Sequence, residues 1–348
     1  MRVRDGRFMG FIERLYVCKW CFKYCKEVVV WLGHARACER RPLEGVRDGE
    51  REVPMVPGRR IYTHAKSGEG GGEGVWSVWE VDGEVDPVRS FIHPHPVFCL
   101  QKETETMEQQ TRGGCANATA TANANANLAG SQMYCQNLSL FAKLFLDNKS
   151  VFFDVTGFNY FLLVHTDPAT RAQQVIGFFS KEKQSWDCNN LACILIFPPW
   201  QKKSLGSLLI ALSYEISRRE GLLGGPEKPI SDIGKKGYVK YWCAQVARYL
   251  LDAKDTNLKR GSGRVSVEDI SRETWMLQED VLTALREMSV AVNAGKGKGE
   301  VARVKIDKEK VREWVERNHV DLRPAIDVQG FVEGYGYKEE YGDEEMGD

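Results

Sequence analysis

Cys193-Ile194-Leu195-Ile196-Phe197-Pro198-Pro199-Trp200-Gln201-Lys202-Lys203-Ser204-Leu205-Gly206 sets the organisation of this chain. Residues 191–197 form a continuous apolar run of strand length, which predicts a fully buried strand. Pro198 and Pro199 remove two ladder donors, so strand pairing ends there and the sheet is expected to open locally. Beyond them Leu205, Leu208, Leu209, Leu212 and Ile216 follow helical spacing, with Gly221 as the expected stop. Strand, basic turn and helix in that order aim free backbone amides and the positive end of a helix dipole at an anion, and Lys202 and Lys203 add charge. The same pattern also describes an ordinary solvated turn, so alone it points to phosphate without establishing it.

Working outward, a second pattern lies near the N-terminus. Cys18-x2-Cys21-x12-His34-x3-Cys38 has the spacing of a Cys-Cys-His-Cys zinc site, one pair on a turn and the other a helical turn apart. Cys25 is expected to be a small apolar filler rather than a fifth ligand. The helix that carries His34 begins Val28-Val29-Val30-Trp31-Leu32, which is apolar where a groove-reading helix needs Arg or Asn. It is expected to be buried, making the zinc module structural, and sequence-specific DNA binding is not expected.

The chain has 348 residues, enough for two or three folded units, and its 48 basic and 48 acidic residues cancel. No global basic field argues for wrapping nucleic acid. Met1 to Phe11 lacks the apolar core of a signal peptide, and no run approaches the roughly 18 residues of a membrane span, so a soluble intracellular protein with no membrane partner is expected. In a reducing compartment the ten cysteines read as ligands, nucleophile or core rather than disulfides.

In order along the chain, 1–50 is the zinc-finger module and 51–86 opens the next domain, with a flexible Gly68–Gly74 stretch and an alternating strand at Trp76–Val81 that ends in an Asp82-Gly83 turn. Residues 87–132, with an Ala/Asn/Thr tract, are expected to be a disordered insertion or a gene-model artefact. The segment 133–255 is a compact core. Asn137 is expected to cap a helix carrying Leu138, Phe141, Ala142 and Phe145, followed by strands at Val151–Val155, Tyr160–Val164 and Val175–Phe179. In 256–320, Ser266 caps a helix at Val267–Glu273 and a second runs from Leu277 to Met288. The last segment, 321–348, is expected to be an acidic disordered tail.

Several of these stretches, in this order, resemble motifs of the MYST family of histone (lysine) acetyltransferases: the zinc spacing, Glu80-Val81-Asp82-Gly83, Tyr134-Cys135-Gln136-Asn137-Leu138, Gly177–Lys183, Gln201–Gly206 and Gly225–Gly234. The resemblance covers about 15–86 and 133–290. The Asp154–Phe158 run and the departures at Trp200–Gly206 resemble a fungal, silencing-type branch. It implies a mixed α/β (α+β) fold, with an acetyl-CoA N-acyltransferase-like core, an N-terminal zinc finger and a C-terminal helix-turn-helix-like subdomain.

It also implies roles. Glu227, in the Pro226-Glu227-Lys228-Pro229 turn, matches the general base that takes the proton of a substrate lysine, a group whose ordinary pKa of about 10.4 keeps it charged at neutral pH. Cys193 matches a cysteine facing the thioester, as covalent acetyl carrier or as pocket lining; a cysteine on a buried strand is otherwise simple packing. Acetyl-CoA contacts fall on Ile194, Gln201, Lys202, Lys203, Ser204, Leu205, Gly206, Ser207 and Ser231, zinc on Cys18, Cys21, His34 and Cys38, and autoacetylation on Lys143. The chain departs from the family at Ser204, where a glycine is usual and a positive φ would strain serine by roughly 1 kcal/mol or more, and at Gly237, where a serine is usual. The implied partners are core histones or the nucleosome and accessory subunits, in the nucleus. A non-catalytic chromatin-binding module, a degenerate relative that keeps zinc and fold, is the alternative.

Overall fold

A computed structural model describes residues 3–4, 7–8, 14–39, 56–64, 74–84, 132–146, 149, 151–252, 266–296 and 302–337. Most of the glycine-rich stretch (65–73), the insertion at 87–131 and the end of the tail at 338–348 lie outside the described residues. Contacts group the chain into two compact units, Met1–Arg59 with Trp79–Tyr160 and Ala172–Gln174, and Arg60–Val78 with Phe161–Arg171 and Val175–Asp348.

In the first unit a two-stranded antiparallel hairpin, Tyr16–Val17 with Tyr24–Cys25, carries the Cys18–Cys21 turn, and helix α1 (Val28–Glu39) follows. The ligand pair His34 and Cys38 fixes which side of α1 turns inward, and the apolar start of the helix is left in water. Val28, Val29, Val30 and Leu32 are all exposed, Val29 at 76%, so the expected burial of this face is not found. Phe22 packs edge-on against Tyr134 (5.8 Å) and tilted against Phe141 (5.6 Å), both on helix α2 (residues 132–142). That helix starts five residues before Asn137, which is therefore an interior residue and not its cap. Val151–Val155 is not a strand. Phe153 is 62% exposed, its carbonyl accepts a hydrogen bond from Gln136 Nε2 (2.8 Å), and Thr156 Oγ1 donates to Asp154 Oδ1 in a local turn.

The central sheet is built from β1 (Arg59–His64), β2 (Val75–Asp82), β3 (Phe158–Thr166), β4 (Gln173–Glu182) and β6 (Cys193–Ile196), in the order β6-β4-β3-β2-β1. Strand β5 (Asn189–Leu191) stands apart, paired in parallel with β7 (Gly225–Pro226). β6 runs antiparallel to β4 with Cys193 opposite Ser180 and Ile196 opposite Gly177. It lies at the end of the sheet, which corrects the expectation of a fully buried strand: Leu195 is buried, whereas Cys193, Ile194 and Ile196 are half-buried. As expected, Pro198 starts a short 3-10 turn and strand pairing stops.

Helix α3 (Leu205–Arg219) buries Leu205, Leu208, Leu209, Leu212 and Ile216 against Phe161, Ile176 and Phe179 of the sheet, where Phe161 and Phe179 stack at 4.4 Å. Gly221, at φ 75, ends it as expected: the amide of Leu222 donates to Ser217 O and that of Gly221 to Arg218 O, the two bonds of a Schellman motif. A second core joins Ile210 and Tyr214 of α3 to α4 (Asp232–Asp252), α5 (Val267–Thr274), α6 (Gln278–Met288) and Val311 of α7 (Lys308–Arg317). The pair α5–α6 is as read from sequence, with Ser266 and Asp269 forming a capping box. Its core is continuous with that of α3 and α4.

The described part of the expected disordered tail is packed. Arg219 donates to Tyr335 O and Val328 O (both 3.1 Å) and lies over the Phe331 ring at 4.1 Å, while the amide of Val332 donates to Ile61 O. Aromatic side chains, absent from an ordinary acidic tail, supply the apolar area that holds 321–337 in place.

Candidate functional site

The loop between β6 and α3 is shaped by two left-handed residues, Lys202 at φ 62 and Ser204 at φ 58. The Gln201 side chain donates to Ile196 O (2.8 Å) and holds the loop to the strand end. Ser204 precedes the first helical residue, and its side chain makes no capping bond. The amide of Leu208 closes the first helical turn onto Ser204 O, so helix geometry leaves Leu205, Gly206 and Ser207 amides without intrahelical acceptors. A Cβ built on Gly206 would meet nothing within 4 Å, so the surface over it is open. Three amides without helical acceptors, a helix dipole and the exposed Lys202 and Lys203 are the groups an anion can use here.

The loop rests on an aromatic group absent from the sequence reading. Trp200 meets Trp76 edge-on at 5.7 Å and His165 at 5.2 Å, and Lys203 Nζ lies 4.9 Å over the Trp200 ring. Burial holds His165 below its ordinary pKa, Asp167 opposes this and Lys203 adds to it, so the ring stays neutral beside the basic loop.

Strand β7 brings Glu227 to the same region. Pro226 pairs with Leu191, and the Glu227 amide donates to Leu191 O (2.8 Å), two residues before Cys193. The Glu227 side chain is exposed. Ile194 packs against both apolar cores. Ser231 precedes α4, and its Oγ accepts the Gly234 amide at 3.2 Å, a capping bond that uses part of its hydrogen-bonding capacity. Lys143 is exposed at the end of α2, with Nζ 3.9 Å from the Phe152 ring centre; it belongs to the other unit from Glu227 and Cys193.

In the first unit the ligand atoms of Cys18, Cys21, His34 and Cys38 lie within 4.8 Å of one another, and Cys21 Sγ is 3.3 Å from His34 Nε2. Cys25 is outside this group and hydrogen-bonds Glu27 O instead. Three sulfurs and one imidazole converging in this way fit a closed tetrahedral zinc site. Among the described residues no disulfide is formed.

The family model described as "MOZ/SAS family" matches residues 126–330. The chain belongs to that family. It is similar to "Histone acetyltransferase SAS2" of Saccharomyces cerevisiae, 41% identical over 80% of this chain and 61% of that protein. It is also similar to "Histone acetyltransferase MOF" of Drosophila melanogaster, 31% identical over 81% of this chain and 25% of that protein, and to "Histone acetyltransferase of the MYST family 1" of Arabidopsis thaliana, 42% identical over 46% of this chain and 34% of that one. The chain thus spans a quarter to three fifths of the length of these curated relatives.

For this MOZ/SAS chain, the structure brings Cys193, Gln201–Ser207 and Glu227 to neighbouring elements of one unit. Sequence reasoning missed the Trp76–His165–Trp200 support and Asp280 of α6, which is 2% exposed beneath the Glu227 turn. Trp200 carried a weak signal, as a large aromatic flanking a turn, whereas Trp76 read only as a strand residue. Asp280 carried none, since an acid in the first turn of a helix is ordinary. No helix among the described residues is long and apolar enough to cross a membrane.

Proposed function

We propose that this chain is a protein lysine acetyltransferase that moves the acetyl group of acetyl-CoA to the side-chain amine of lysines in core-histone tails. The observation that carries the reading is the convergence of an open helix N-terminus with two lysines, a half-buried cysteine and an exposed glutamate on adjoining elements of a MOZ/SAS fold. The names of the relatives supply the substrate class.

The Leu205, Gly206 and Ser207 amides hold the pyrophosphate of acetyl-CoA, Lys202 and Lys203 balance its charge, and Ile194 contributes through its backbone. Gln201 and Ser204 set the loop, and Ser231 adds a contact from the start of α4. The Glu227 carboxylate takes one proton from the substrate ammonium. The freed amine then attacks the thioester carbonyl, the C–S bond breaks, and CoA leaves as the thiolate, which takes the second proton from the attacking nitrogen as the amide forms. Cys193 lines the thioester pocket in this direct path. In a two-step path the Cys193 thiol first gives its proton to Glu227 and its sulfur takes the acetyl group as the CoA C–S bond breaks, CoA leaving with that proton. Glu227 then takes a proton from the lysine ammonium, and the amine attacks the acetyl-cysteine thioester, whose sulfur leaves and recovers the second nitrogen proton. Zinc at Cys18, Cys21, His34 and Cys38 holds the N-terminal module folded. Lys143 is the autoacetylated lysine, and its acetylation ends the cation–π contact with Phe152. The work is done on chromatin in the nucleus, with accessory subunits.

The strain at Ser204 weakens the anion seat without removing it, because loop and helix form around it; this disfavours a purely non-catalytic module. The test is incubation of the zinc-loaded chain with labelled acetyl-CoA and core histones. Label on histone lysines is expected. Unmodified histones at high enzyme concentration, with accessory subunits supplied, overturn the reading.

A further inference from the structure

The helix pair α5–α6 resembles a nucleic-acid-binding motif, yet its contacts point elsewhere. Gly224 forms an isolated parallel bridge with Met276, just before α6. A Cβ built on Gly225 would stand 2.9 Å from Leu277 Cδ1 and 3.0 Å from Asp280 Oδ2, so the backbone of the turn lies directly on the first turn of α6. Lys228 and Glu279 form an ion pair across the same junction. The segment carrying Glu227 is therefore held on one side by β5 and on the other by α6.

We propose that the first turn of α6 positions the Glu227 turn, with Asp280 as the buried positioning residue beneath Gly225 and Glu279 as the outer tie to Lys228. Asp280 Oδ2 makes no hydrogen bond and is sealed from solvent, so its charge falls on the groups packed around it. The groups facing it are Lys228 of the turn, Glu279 of its own helix, Tyr214 of α3 and Tyr238 of α4. Burial pushes Asp280 up to about 6, Lys228 pulls it back and Glu279 adds to the rise. Tyr214 and Tyr238 are held protonated by their own burial. At neutral pH Asp280 is thus an anion whose charge is partly offset by Lys228, itself tied to Glu279 at the surface. Asp280 does not touch substrate; it acts through the turn that carries the proposed base.

This inference rests on the acetyltransferase reading, and two readouts keep the two apart. In the transfer assay, Asp280→Asn is expected to lower kcat by roughly tenfold to a hundredfold, the scale of an ångström-sized misplacement, with KM for acetyl-CoA unchanged. In a Glu227→Gln background the same change is expected to cost nothing further. An equal loss in both backgrounds, a shift in KM alone, or no loss overturns the assignment. Glu279→Gln, on the surface and neutral to folding, is expected to lower kcat severalfold in the wild-type background only; unchanged kcat overturns the outer tie. Independently of activity, amide exchange at Glu227, whose N–H is bonded to Leu191 O, is expected to quicken in Asp280→Asn. If the wild type transfers nothing, the acetyltransferase reading falls, and unchanged exchange at Glu227 overturns the positioning role separately.

Discussion

Ser204→Gly is the substitution whose outcome the backbone fixes most directly. Ser204 sits at φ 58, ψ 8, and a non-glycine residue there costs about 1–2 kcal/mol. Its hydroxyl makes no capping bond, so replacing it forfeits none of the usual cap energy. Against the relief stands the greater freedom glycine gives the unfolded chain, about 0.4–1 kcal/mol. Taken at their mid-points, the two leave a gain of about 0.8 kcal/mol, which in a chain of this size raises the melting temperature by about 1–2 °C. Because the relieved residue begins the helix whose amides form the anion seat, acetyl-CoA affinity is expected to rise several-fold in calorimetry. Ser204→Ala is the control: it keeps the penalty and should gain nothing. An unchanged or lowered melting temperature for Ser204→Gly, or a gain shared by Ser204→Ala, refutes the strain argument.

Removing zinc with a chelator, or replacing Cys38 with serine, is expected to unfold the N-terminal module, since four ligand groups left without a cation are mutually unfavourable. Loss of the Phe22–Tyr134 packing, read by near-ultraviolet circular dichroism on metal removal and regained on adding zinc, checks this. Asp280 makes its own contribution to the pH dependence of stability, with a definite sign. Its value in the folded protein is raised to about 6 from an ordinary one of about 3.9, so its contribution is full below about pH 4 and is lost as pH rises through about 6. The melting-temperature difference between wild type and Asp280→Asn is expected to move against the wild type across that window. A difference that stays flat contradicts the assignment.

What was legible in the sequence is what short-range pattern controls. The period of Leu205–Ile216 gave α3 and its glycine stop, the cysteine spacing gave the metal group, and Ser266 with Asp269 gave α5. Val151–Val155 failed because its β-forming residues carry no partner strand, and a strand exists only by pairing. The apolar start of α1 failed for a related reason: the side of a helix that turns inward is set by its metal ligands as much as by hydrophobicity. For the site, motif order singled out Cys193, the Gln201–Ser207 loop and Glu227, whose roles are those proposed; the fold carries them on neighbouring elements. The aromatic support of the loop and Asp280 come from contacts among residues far apart in sequence, such as Gly225 with Asp280, which no local window contains.

The central claim is that Glu227 is the base of an acetyl transfer to histone lysine. Its most direct test is transfer of label from acetyl-CoA to core histones by the wild-type chain and by Glu227→Gln, which keeps the shape of the side chain and removes its basicity. The account predicts that the wild type is active and that the variant is slower by about a hundredfold or more at neutral pH, with zinc bound and acetyl-CoA binding retained. Equal rates in the two proteins would contradict it.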